Sequence, residues 1–118
     1  MRKIYYLSTC STCQRIMREF NITKDNFVYQ DIKNEPITPS QLEEMKNAVG
    51  SYEALFSRRA MKYKSMGLKN KTLAENDYKN LILQEYTFLK RPVIVVDGKY
   101  FVGSSKKVLA DLKKELAG

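Results

Sequence analysis

Cys10 and Cys13 are the only cysteines in the chain, and they stand three positions apart in the run Cys10-Ser11-Thr12-Cys13. Two thiols at this spacing can exchange with a disulfide: one attacks as a thiolate, and the other resolves the mixed disulfide that forms. In a reducing compartment such a pair points to catalysis or redox sensing more than to a structural cross-link. Cys13 also has a plainer reading, as a small apolar member of a helix stripe. There is no histidine. That excludes Ser-His-Asp and Cys-His catalysis within one chain, and with them any zinc site that needs imidazole. A site of four thiolates would need a second chain, so no metal is expected.

The pattern around the pair supplies elements that could position it. Lys3 to Leu7 is β-branched and aromatic, a first strand, and Ser8-Thr9 is a polar stop. Cys13, Ile16, Met17 and Phe20 then recur on one helical face. The pair therefore sits where a strand hands over to a helix, whose free N–H groups and positive dipole end favour a thiolate. Phe27 to Ile32 reads as a second strand. Thr38-Pro39-Ser40-Gln41 is a capping box with proline at the first helical position. Leu42, Met45 and Val49 form that helix's inner face, and Gly50 should end it. Tyr52 to Phe56 begins another helical turn. Thr72-Leu73-Ala74-Glu75 reads as a second capping box, before a helix burying Tyr78, Leu81, Ile82 and Tyr86.

Pro92 to Val96 is a continuous apolar run, expected as a buried central strand. Asp97-Gly98 signals a hairpin, with Tyr100 to Val102 returning. Gly103-Ser104-Ser105 opens a last helix with Val108, Leu109, Leu112 and Leu116 inward. A βαβ start and a ββα finish make the thioredoxin plan. The expectation is an α/β fold: a four-stranded mixed sheet flanked by helices, with a helical insertion over about 38–86. Arg91-Pro92 precedes the buried strand, where proline is tolerated as the first residue. Taken alone, the dipeptide favours a trans bond.

A chain of 118 residues is expected to form a single domain over 1–118, with a core that needs no staples. No apolar run is long enough to cross a bilayer. The first twenty residues lack a signal-peptide core, so a cytoplasmic location is expected. The end of the chain soon after Leu116 fits a compact unit better than one with an interaction tail. The net charge is +8. Lysines and acids are interleaved along most of the chain, and no basic-and-aromatic recognition motif stands out. Direct nucleic-acid binding is therefore not expected, whereas an anionic substrate or an acidic partner would account for the excess.

Three segments together resemble the arsenate reductase (ArsC) / Spx family of thioredoxin-fold proteins. They are Thr9-Cys10-Ser11-Thr12-Cys13, then Leu55-Phe56-Ser57-Arg58-Arg59, and last Lys90-Arg91-Pro92-Val93-Ile94-Val95-Val96 followed by Val102-Gly103. The resemblance spans essentially the whole chain. It implies a cis bond at Pro92 and a nucleophilic role for Cys10. It matches Arg59 and Arg91 to arginines that hold an oxyanion near that sulfur in the reductases, and it sets Thr9, Ser11, Thr12 and Pro92 around the substrate. The arginines gain their case from this match alone. Arg58 and Lys62 read as solvated surface.

Two departures matter. The glutathione-linked reductases of this family have a lone first cysteine and a third arginine after the last hairpin strand. Here Cys13 is present, and Val102 is followed by Gly103-Ser104. Both features look more like the Spx branch, which joins a C-x-x-C switch to RNA polymerase binding. Gly50 falls near a glycine that branch uses at the interface, although a plain helix C-cap is the simpler account.

The leading expectation is an ArsC-like thiol–disulfide oxidoreductase. Cys10 attacks a small oxyanion or a disulfide, Cys13 resolves the adduct, and no cofactor is bound. Electrons come from glutathione, glutaredoxin or thioredoxin. The alternative is an Spx-type redox-switched transcriptional regulator whose partner is RNA polymerase.

Overall fold

In the computed structural model, which describes residues 1–118, Arg2–Tyr6 forms strand β1, displaced one residue from the expected run. Helix α1 covers Ser11–Glu19 and β2 covers Val28–Asp31. After the inserted segment come β3 (Val93–Val96), β4 (Lys99–Val102) and α5 (Lys106–Ala117). The sheet order is β2-β1-β3-β4. β1 runs parallel to β2 with Ile4 opposite Tyr29, and antiparallel to β3 with Ile4 opposite Ile94. β3 and β4 form the hairpin. Its turn holds Asp97 at φ 50° and Gly98 at φ 88°, both left-handed. That is the geometry a two-residue loop needs to follow strand twist.

The central strands are β1 and β3, and β3 is the strand that the apolar run placed inside. Every residue of β3 is buried. Ile4, Ile94 and Val96 pack with Ile16 and Met17 of α1 and Leu112 of α5 in one cluster. Each such side chain contributes about 1.5–3 kcal/mol when fully removed from water. This cluster fixes the inner face of α1, and so the rotation of the helix that carries the cysteines.

The chain divides into two units, Met1–Glu35 with Arg91–Gly118, and Pro36–Lys90. The second contains α2 (Pro39–Val49), α3 (Met61–Ser65), α4 (Glu75–Gln84) and three 3-10 turns. At α2 the expected box is formed: Thr38 Oγ1 accepts from the Gln41 N–H at 3.1 Å, and Gln41 Oε1 accepts from the Thr38 N–H at 3.1 Å. Gly50 closes the helix at φ 102°. The segment expected to turn at Tyr52 to Phe56 is a 3-10 turn over Glu53–Leu55. Phe56 is fully buried, stacked on Phe88 at 4.9 Å and edge-on to Tyr78 at 5.0 Å. Backbone bonds from Ser57 N–H to Phe88 O and from Lys90 N–H to Leu55 O tie the middle of this unit to its C-terminal end.

Two local expectations are corrected. The α4 cap stands at Ala74, not Thr72, and it is Asp77 Oδ2 that accepts from the Ala74 N–H at 2.8 Å. Glu75, expected to complete a box, reaches back to accept from the N–H groups of Tyr52 (2.7 Å) and Glu53 (3.0 Å). A long-range demand for an acceptor outcompeted the local pattern. Tyr86 lies beyond α4, in a 3-10 turn over Tyr86–Phe88.

Candidate functional site

The end of β1 is followed by a turn in which the Cys10 N–H donates to Leu7 O at 3.1 Å. Cys10 then takes the N-cap position of α1 in an extended conformation, φ −88° and ψ 114°. No conventional side-chain cap closes this helix. Gln14 secures the turn twice: its backbone N–H donates to Cys10 O at 3.1 Å, and its side-chain Nε2 donates to Ser8 O at 3.0 Å. Gln14 was missed in the sequence; a polar side chain on the first turn after the pair was the available signal.

Both cysteines are free thiols, Cys10 half-buried and Cys13 fully buried. Their acidities move in opposite directions. Burial pushes the Cys10 thiol up, but it is outweighed by the Cys13 backbone N–H, the Cys13 thiol and the Arg91 guanidinium. All three favour its thiolate, and its pKa lies below the ordinary value. Burial pushes Cys13 up to about 12, against a lowering hydrogen bond from the Leu7 backbone; the hydrogen bond to Cys10 and the Cys10 charge push the same way as burial. Of the two thiols Cys10 is therefore the one that ionises first, with the Cys13 thiol donating toward its sulfur.

Arg91 and Pro92 come to this site from the far side of the chain. Arg91 is half-buried, Pro92 buried, and the bond between them is cis. The side chain of Arg91 hydrogen-bonds Cys10. Pro92 O accepts from the Gly103 N–H at 2.9 Å, and Gly103 adopts φ 89°. Gly103 thus anchors the Pro92 turn.

Thr9 and Ser11 are exposed on either side of Cys10, and Thr12 is half-buried in the first turn of α1. Arg59 is exposed in the turn after Phe56, within the second unit. A groove of about 480 Å³ runs beside α1, lined by Tyr6, Ser8, Gln14, Arg18 and Tyr29 among others. Neither cysteine lines it. No group of three or more metal-ligating side chains occurs, and no helix is long and apolar enough to cross a membrane.

The model of the ArsC family matches residues 5–112. Among solved structures, a protein described as a possible arsenate reductase from Streptococcus mutans is 27% identical at a TM-score of 0.75, covering 96% of this chain and 98% of the other. An ArsC-family-related protein from Bacteroides fragilis is 20% identical at a TM-score of 0.78, with 97% and 96% covered. An arsenate reductase-related protein from Brucella melitensis is 22% identical at 0.70, with 96% and 94% covered. No curated protein sequence matches the chain.

Proposed function

The chain belongs to the ArsC family, and on that premise we propose that it is a cytoplasmic thiol-dependent reductase with Cys10 as nucleophile and Cys13 as resolving thiol. The observation that carries this reading is the geometry of the pair, with Cys10 half-buried at the N-cap of α1 beside Arg91 and Cys13 fully buried in the first turn; the opposed acidities of the two thiols agree with it.

With a disulfide R–S–S–R′, the Cys10 thiolate attacks one sulfur. A Cys10–S–S–R bond forms, the S–S bond of the substrate breaks, and R′S⁻ leaves and takes a proton from water. Cys10 is now neutral. Its charge and its hydrogen bond were two of the influences holding the proton on Cys13. Their loss lets Cys13 give up that proton and attack the Cys10 sulfur, expelling RSH and leaving the Cys10–Cys13 disulfide. A small thiol or redoxin, meaning glutathione, glutaredoxin or thioredoxin, then returns two electrons. No bound cofactor is required. Thr9, Ser11, Thr12 and Pro92 would border the incoming sulfur.

An oxyanion such as arsenate is the second substrate class. Arg91 supplies a planar fork suited to it, and the resemblance adds Arg59. Gly103 at the place of a third arginine makes the cradle weaker, so disulfides should be the better substrates. Turnover of 2-hydroxyethyl disulfide and of arsenate, each with the glutathione–glutaredoxin and the thioredoxin systems, tests this ranking. A Cys13→Ser variant should accumulate a mixed disulfide on Cys10 that mass spectrometry detects. Efficient arsenate reduction would reverse the ranking; adducts on Cys13 rather than Cys10 would overturn the assignment of roles.

The C-x-x-C pair and the missing third arginine also favour a second reading, an Spx-type regulator that binds RNA polymerase. Polymerase binding that depends on Cys10–Cys13 oxidation, with no turnover under either donor, would select it.

A further inference from the structure

The charge of this protein is concentrated in one segment. The chain has 21 basic and 13 acidic residues. Between Ser57 and Ala74 there are six basic residues and no acidic one, which leaves 15 basic against 13 acidic in the other hundred positions. Three quarters of the net +8 therefore lies in eighteen residues, all within the second unit.

The segment is held from within. Tyr63 sits edge-on to Phe56 at 6.0 Å, and Leu68 is buried. Two of its cations are neutralised by acids elsewhere in the unit, Arg58 by Glu53 at 2.8 Å and Lys62 by Glu85 at 2.7 Å. Arg59, Lys64, Lys69 and Lys71 are exposed and make no ion pair. In the same segment Met61 is 89% exposed and Met66 is 44% exposed, two of the four large hydrophobic side chains that face water in the whole protein. A concentration of one sign of charge steers a partner of opposite charge, and burying the exposed methionines against that partner adds a favourable apolar contribution.

We propose that residues 57–74 form a docking surface for an acidic protein segment with apolar side chains of its own. The chemistry favours protein over the other polyanions. Nucleic-acid surfaces add aromatic platforms and arginine forks to their lysines, whereas the one aromatic ring here, Tyr63, is turned onto Phe56. Membrane-interface helices are long and carry tryptophan, phenylalanine or leucine on one face, whereas α3 has five residues. Exposed methionine adapts its shape to a partner's apolar side chains, and lysines steer and orient an acidic one. The proposal does not depend on the thiol chemistry, and its test variants leave Arg59, the one cation also offered for the oxyanion, in place.

The test uses the full chain and a fluorescein-labelled twelve-residue peptide of alternating glutamate and leucine, with a single-stranded oligonucleotide and phosphatidylglycerol vesicles as competing probes. The peptide should shift amide resonances of residues 57–74 in the wild-type protein and bind with a steep salt dependence. Lys64→Glu/Lys69→Glu/Lys71→Glu should weaken peptide binding about tenfold or more, a change of about 1.4 kcal/mol or more. Lys106→Glu/Lys113→Glu/Lys114→Glu on α5 changes the net charge equally and should have less than a third of that effect in free energy. Met61→Ser/Met66→Ser should weaken the peptide several-fold while leaving the oligonucleotide unchanged. Equal losses for the two charge reversals would overturn the proposal, as would peptide shifts spread outside 57–74. Tighter binding of the oligonucleotide or the vesicles, insensitive to the methionines, would likewise overturn it. The resonance shifts are read on the wild type, so the result does not hang on how the variants fold.

Discussion

At the start of α2 both halves of a capping box are closed, Thr38 to the Gln41 N–H and Gln41 to the Thr38 N–H. At the start of α1 the same N-cap position holds Cys10, and the N–H that Thr38 satisfies with oxygen is turned toward sulfur. Sulfur is a poor acceptor as a thiol and a much better one as a thiolate. The first turn of α1 is thus left under-satisfied until Cys10 loses its proton, and the unmet hydrogen bonding becomes a bias toward the reactive form. One helix uses its free N–H groups to bind a hydroxyl cap, the other to favour a thiolate. Arg91 and the Cys13 thiol add to the bias at α1.

The most severe way to break this contrast is to give α1 an ordinary cap. Cys10→Ser should abolish turnover of every substrate, yet raise stability by about 0.5–1 kcal/mol as oxygen replaces sulfur at the N-cap. Assay and urea unfolding of the same preparation check both halves, and a destabilised Cys10→Ser protein would contradict the account of the cap. Next in size is Arg91→Ala. It removes a cation and a donor from the Cys10 thiolate, so the Cys10 pKa must rise. The pH profile of iodoacetamide labelling should move to higher pH, with labelling near pH 6 slowed most. An unmoved profile would take Arg91 out of the site.

Cys13→Ala sharpens the contrast from the other side. Loss of the thiol donor should also raise the Cys10 pKa, by less than the arginine variant does. It should change the pH dependence of folding as well. The Cys13 pKa is raised from 9.0 to about 12 in the folded protein. The neutral thiol's contribution is therefore complete below about pH 9 and is lost as pH rises toward 12. Cys10 has the opposite sign: its lowered pKa contributes fully above pH 9 and fades as pH falls through the folded value. Reduced wild type should lose stability between pH 9 and 12 in chemical denaturation, and Cys13→Ala should flatten that limb. The smallest effect is at the conventional cap. Thr38→Ala should cost about 1 kcal/mol and leave the Cys10 labelling profile where it was. A shifted profile would mean that the two helix starts are not independent.

The elements legible in the sequence share one property, that their determinants lie within a few residues. The Thr38 box, the Gly50 stop, the Asp97-Gly98 turn and the apolar run of β3 are each decided by contacts at short range. So is the placement of Cys10 and Cys13 at the end of a strand and the head of a helix. The miss at α4 has the same logic in reverse. Thr72 and Glu75 satisfied a local pattern, but Glu75 was recruited by the distant N–H groups of Tyr52 and Glu53, and the helix was capped from Asp77 instead.

The sequence by itself determined which residues could do chemistry here: a two-thiol pair, no imidazole, and a helix start to hold the pair. Tertiary structure alone decided how the pair is tuned. Cys13 acquires its high pKa because α1 packs its inner face onto the β1–β3 sheet, which removes that thiol from water. Arg91 reaches Cys10 because β3 lies against β1, bringing together residues far apart in the chain. The Arg91-Pro92 dipeptide taken alone favoured trans, by an intrinsic margin of only about 0.5–1 kcal/mol, and the folded chain holds the cis form that the family resemblance implied. Spacing along the chain can specify which thiols meet. Burial and charge depend on what else arrives beside them, and only the folded sheet assembles that.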